Sequence, residues 1–202
     1  MKCEYCKQQV GFLKWYHEEC KVSAEKTLRQ IENVLNQHKS DETVSKEVTL
    51  ELREIVLSNA LYKNYLESKI IDKTAIHVNE VVICVESGVK ISETKNRCKM
   101  VETGYRYEKM PTWSEKQLLL DNTGIVIFTD KAIYLYAGMK TMRYPYNKIV
   151  NYGYEKIWTL KYAYFDVKTT SPLPHRFSFT DYFKNKNAEK EQNIALLLHC
   201  LV

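Results

Sequence analysis

Thr123-Gly124-Ile125-Val126-Ile127-Phe128-Thr129-Asp130-Lys131-Ala132-Ile133-Tyr134-Leu135-Tyr136 is the most informative run in the chain. β-Branched and aromatic residues fill both halves, as suits a pleated, half-buried surface. Between them, Thr129-Asp130-Lys131 reads as a turn, because short polar side chains hydrogen-bond their own backbone and reverse the chain. The run is therefore a strand, a tight turn and a second strand. Lys140-Thr141-Met142-Arg143-Tyr144-Pro145-Tyr146-Asn147-Lys148-Ile149 adds a short strand ending at a proline, which a strand end tolerates and a strand centre does not.

The same composition recurs on both sides. Upstream stand Ile76–Val78, Val81–Val85, Val89–Ile91, Tyr105–Tyr107 and Gln117–Leu120; downstream stand Ile149–Tyr154, Ile157–Leu160, Tyr164–Lys168 and His175–Phe179. Turn signals separate them at Ser87-Gly88, Asp121-Asn122, Ala137-Gly138 and Ser171-Pro172. From about Asp181 to Leu201 the pattern becomes helical, with Ile194, Leu197, Leu198 and Leu201 on one apolar face. Short antiparallel strands followed by one helix pack naturally as a small β-barrel or sandwich whose open end the helix plugs.

The Thr129-Asp130-Lys131 turn between two hydrophobic strands, followed by Pro145-Tyr146-Asn147-Lys148-Ile149, resembles the signature of bacterial pleckstrin-homology-like (PH-like, GRAM-related) domains. The resemblance covers about residues 75–202. It implies an antiparallel β-barrel or sandwich with a C-terminal helix, and a protein-binding role of the kind bacterial members often have. A shared fold does not fix the ligand.

Ahead of the β-rich half the period is helical. From about Glu18 to His38 the apolar residues Val22, Leu28, Ile31, Val34 and Leu35 recur on one stripe, and from about Ser45 to Glu67 Val48, Leu52, Ile55, Val56, Leu61 and Leu66 do the same. Ser40 and Asp41 between them are N-cap residue types. The pair reads as a helical hairpin or an arm, and the apolar repeat is too short for a coiled coil.

The first twenty residues carry the clearest chemistry. Cys3-x2-Cys6 is followed, ten residues on, by His17-x2-Cys20. Two ligands two residues apart chelate one ion from a tight turn, and a second such pair completes a tetrahedron of three thiolates and one imidazole. Zn²⁺ suits that donor set, and the filled shell makes the site structural. The spacing resembles treble-clef zinc modules, such as the first half of a LIM domain, with a shorter middle segment. That likeness implies Cys3 and Cys6 on a zinc knuckle, with His17 and Cys20 on the first turn of the following helix. Tyr5, Phe12, Trp15 and Tyr16 would pack around the site. The chain is thus expected to be α+β in three parts: a zinc module at 1–25, a helical hairpin or linker at 26–73, and a PH-like domain at 74–202.

Composition narrows the function classes. The chain has 202 residues, 45% hydrophobic and 27% charged, which excludes bulk disorder, and Gly 6 with Pro 4 excludes collagen-like architecture. No apolar run approaches the roughly 20 residues of a spanning helix, and Cys3, Glu4, Cys6 and Lys7 stand where a signal peptide needs an apolar core. A cytoplasmic location with reduced thiols is expected. Abundant Lys, Asn, Ile and Tyr are in keeping with an AT-rich bacterial or phage genome.

Catalytic signatures are missing: neither a phosphate-cradling glycine loop nor HExxH occurs. Cys84 and Cys200 sit in apolar surroundings, whereas Cys98 lies in a charged stretch without an identified base. The expectation is a non-enzymatic binding or adaptor protein with a protein partner, in which a homo-oligomer is open. Alternatives are a nucleic-acid-binding regulator using Lys14, Lys21 and Lys26, or recruitment to anionic membrane. Lys140, Arg143 and Lys148, interleaved with tyrosines, are the candidate binding cations of the β-rich half.

Overall fold

The computed structural model describes residues 1–11, 14–39, 46–103, 108–157, 160–168, 174–181 and 190–202. Phe12, Ser40, Asp41, the Tyr105–Tyr107 segment and the Ser171-Pro172 turn lie outside these residues, as does the Cys98 side chain. Three helices come first: α1 (Glu18–Gln37), α2 (Lys46–Ser58) and α3 (Ala60–Lys69). Seven strands follow, β1 (Val82–Thr103), β2 (Glu108–Thr129), β3 (Ala132–Ala137), β4 (Lys140–Pro145), β5 (Ile149–Ile157), β6 (Leu160–Val167) and β7 (His175–Asp181). Helix α4 (Lys190–Leu201) closes the chain.

The strands form one antiparallel sheet in the order β4-β3-β2-β1-β7-β6-β5. The antiparallel pairing and the terminal helix are those the PH-like resemblance implies. The quoted run forms the β2–β3 hairpin, with Ile125 opposite Tyr136 and Phe128 opposite Ile133. Ile194, Leu197, Leu198 and Leu201 are all buried, and α4 packs on β5, β6 and β7. Phe165 stacks on Phe179 and packs at a tilt against Phe177, with ring centres 5.5 and 5.3 Å apart.

Several elements differ from the sequence expectation. The segments anticipated between Val82 and Thr129 are two long strands, paired from Val82 opposite Thr129 to Thr103 opposite Glu108. Ser87-Gly88 and Asp121-Asn122 do not end strands. Register shifts absorb the extra residues around Ser87–Val89, and Gly88 takes the left-handed φ of 68° that such an irregularity asks of a glycine. Asp121 instead accepts hydrogen bonds from the backbone of Thr123 at 2.7 Å and of Gly138 at 2.5 Å, tying β2 to the β3–β4 turn.

The second expected helix is two helices. Asn59 interrupts it, accepts from the Tyr62 amide at 3.0 Å as the N-cap of α3, and donates to Thr27 of α1 at 2.6 Å. On α1, Val22 is exposed, and Ala24 and Thr27 join Ile31, Val34 and Leu35 on the buried face. No strand forms at Ile76–Val78 either. Asp72 caps a 3-10 turn over Lys73–Ala75, and residues 76–81 cross as an irregular connector into β1.

That connector is bound to the Thr129-Asp130-Lys131 turn. Asp130 accepts from the Val81 amide at 2.9 Å and from Arg53 of α2 at 3.2 Å, and Lys131 donates to the Asn79 carbonyl at 2.8 Å. Thr129 donates to the Glu80 carboxylate at 2.7 Å and accepts from the Ala132 amide at 2.9 Å. The hairpin turn therefore fastens the helical segment to the sheet. One continuous apolar cluster runs from Cys3 and Tyr5 through α1–α3 to the sheet and α4. Among the described residues, no helix is long and apolar enough to cross a membrane.

Candidate metal centre

Residues 2–9 form a small knuckle. Lys2 and Gln9 bridge as antiparallel partners, the Cys3 amide donates to the Gln8 carbonyl at 2.7 Å, and the Lys7 amide donates to the Cys3 carbonyl at 3.0 Å. Lys7 adopts a left-handed φ of 62°, uncommon outside glycine, which turns the chain sharply after Cys6. Facing it, His17 is the N-cap residue of α1 in extended conformation, and Cys20 lies in the first helical turn. Cys20 thus stands on the first turn of the helix, whereas His17, expected on that turn, stands just ahead of it.

The ligand atoms of Cys3, Cys6, His17 and Cys20 all lie within 4.8 Å of one another, so the four can hold a metal ion. His17 Nδ1 is 3.4 Å from Cys6 Sγ and 3.9 Å from Cys20 Sγ. The shorter separation is close to the edge of a tetrahedron with arms of about 2.0–2.3 Å, the lengths of zinc–nitrogen and zinc–sulfur bonds, and the wider ones would close slightly around an ion. Cys3 and Cys20 are buried, while Cys6 and His17 are half-buried.

Electrostatics within the cluster are uneven. Burial favours the neutral Cys3 thiol, yet backbone hydrogen bonds from Cys6, His17 and Tyr5 outweigh it and lower the pKa to about 6. Cys20 goes the other way: burial, then the neighbouring Cys6 and Cys3 sulfurs, raise it to about 12. Three sulfurs crowded together resist joint ionisation unless a cation neutralises them. The donor set fits a thiophilic divalent ion.

The aromatic packing is partly as expected. Tyr5 is buried and stacks on Tyr65 of α3 at 4.9 Å, with Tyr16 edge-on at 6.3 Å, but Trp15 is 59% exposed and does not pack. Sequence reasoning missed the contacts that join the knuckle to α3. Asn64 donates to the Tyr5 carbonyl at 2.8 Å, Lys7 donates to the Asn64 carbonyl at 3.1 Å, and Lys69 pairs with Glu4 at 3.5 Å. No local pattern signals them, since the partners lie 57 to 65 residues apart.

The candidate binding cations have separate fates. Arg143 is committed to Glu80, whose carboxylate is almost fully buried, through bonds of 2.5 and 3.0 Å. Burial would raise the Glu80 carboxyl, but hydrogen bonds from Thr129, Arg143 and Tyr134, together with the Arg143 charge, hold it below its ordinary value. Lys140 and Lys148 are exposed, at the start of β4 and in the 3-10 turn after it. Lys21, raised in the nucleic-acid alternative, lies over the Tyr16 ring at 5.2 Å and 3.8 Å from Glu25.

No family model and no curated protein matches the chain. Among solved structures, a Vps36 N-terminal PH domain is similar over 61% of this chain and 82% of its own, at 12% identity and a TM-score of 0.35. A likeness of that degree carries no weight beside the strand order described above.

Proposed function

We propose that the chain is a non-enzymatic binding or adaptor protein, with a structural zinc ion in its N-terminal module and a PH-like half that engages a protein partner. The convergence of Cys3, Cys6, His17 and Cys20 carries this reading. Three thiolates and one imidazole satisfy a tetrahedral ion completely and leave no position for a water nucleophile. Zinc bound there would supply cross-linking free energy, which in a module of this size is folding free energy. The knuckle's contacts with α3 extend that effect beyond the first twenty residues.

Elemental analysis of purified protein tests the metal. About one zinc per chain is expected, falling at least about tenfold in Cys6→Ser or His17→Ala, because the ligand set is then incomplete. Wild-type material without a transition metal contradicts the reading, as does zinc-dependent turnover of a substrate. Capture from the host with the full chain as bait tests the adaptor role. A single defined protein partner supports it. Recovery of only nucleic acid in a salt-sensitive complex, or only anionic vesicles, contradicts it.

A further inference from the structure

From the geometry we infer that the cleft between α2, α3 and the connector at 76–81 is the docking site for an acidic peptide segment with apolar anchors, presented by the partner; this rests on the adaptor reading above. The cleft encloses about 770 Å³. Four cations from four different elements line it: Arg53 of α2, Lys63 of α3, Lys73 of the 3-10 turn and Lys131 of the β2–β3 turn. Leu66, Ile70 and Val82 contribute apolar lining. Arg53 is paired with Asp130 at 3.2 Å and Lys73 with Glu67 at 3.4 Å, while Glu80 is spent on Arg143, so Lys63 and Lys131 carry the charge that these carboxylates leave uncompensated. A positive rim over an apolar lining selects a ligand with carboxylates beside aliphatic or aromatic side chains.

Shape favours an extended chain over a compact small molecule. A second hollow of about 580 Å³ adjoins the first and shares Ile76, Val78, Asn79, Glu80 and Lys131 with it. The surface therefore continues across the connector towards His77 and Thr74. Val78 on that ridge is fully exposed, and Ile71 is 67% exposed on the same loop. An apolar side chain presented between lysines is what a docked segment would cover. The cleft wall is also tied to the metal centre, since α3 carries Lys63, Leu66 and Ile70 on or beside the cleft and Asn64 and Tyr65 against the knuckle.

Fluorescence anisotropy with a labelled peptide of alternating glutamate and leucine tests the inference on the full, metal-loaded chain. Saturable binding is expected, weakened as salt screens the rim, with at least about tenfold loss in Lys63→Glu/Lys131→Glu. Val78→Asp serves as a second variant. Its side chain is wholly exposed in the wild type, so lost binding with an unchanged near-ultraviolet spectrum reports the surface and not the fold. Equal binding of the lysine-for-glutamate peptide overturns the inference, as does binding indifferent to both variants. Preferential binding of a DNA duplex or of anionic vesicles by the same residues also overturns it. If the peptide fails while the chain still captures a defined protein partner, the cleft assignment falls and the adaptor reading stands.

Discussion

Glu80 and Arg143 show how one ion pair can organise a junction. Glu80 sits in the connector with a 2% exposed side chain, and its oxygens take bonds from Arg143, Thr129 and Tyr134. Removing one partner leaves a buried charge uncompensated, so Arg143→Met is expected to cost about 3–5 kcal/mol in urea unfolding. The pH dependence has a definite sign. Because the Glu80 carboxyl is held below its ordinary 4.5 in the folded protein, its contribution is present above that value. It is lost as pH falls through the depressed folded value. Wild-type stability should therefore drop more steeply than that of Glu80→Gln as pH falls below about 4.5; parallel curves would show the carboxylate to be dispensable. Gly124 is a second such position. A Cβ there would meet Ile91 Cδ1 at 2.6 Å and the Tyr136 carbonyl at 2.9 Å, so Gly124→Ala should cost about 1–3 kcal/mol by overpacking.

Among the elements, the break between α2 and α3 is chemically specified. Asn59 caps α3 and also reaches Thr27 on α1, so it fixes the angle at which three helices meet. Asn59→Ala should lower stability by about 1–2 kcal/mol, whereas Asn59→Asp, which keeps the capping oxygen and loses the bond to Thr27, should cost less. The period of apolar residues located the helical segment but not this break, because Asn59 is not out of place on an exposed helix surface. The β half was legible in a similar, incomplete way. β-Branched and aromatic composition and the Thr129-Asp130-Lys131 turn placed the β2–β3 hairpin correctly. Ser87-Gly88 and Asp121-Asn122 carried turn chemistry that the ladder turned into irregularities within β1 and β2, because the long pairing of β1 with β2 outweighs a local preference to turn.

Taken entire, the protein has a Cys/His cluster able to hold a metal ion at one end of an apolar core that continues to α4 at the other. Chelation should therefore act at a distance. With the ion removed, amide exchange is expected to accelerate first in residues 2–11 and in α3, which share the Asn64, Lys7 and Tyr65 contacts. The amides of β3, β6 and β7, buried among aromatic residues, should keep their protection. Uniform acceleration would mean that metal and sheet stand or fall together. Protection unchanged in α3 would mean that the knuckle does not brace it.

The order of residues alone was enough to single out the four Cys and His residues that converge, and the succession of helices, strands and terminal helix. These depend on spacing and period, which are local properties. It did not reveal that Arg143 is answered by Glu80, 63 residues away, or that Lys63 and Lys131 line one cleft. Charges so far apart along the chain have no relation until the sheet register and helix packing bring them together. Only then does burial determine which of them are neutralised within the protein and which face outward.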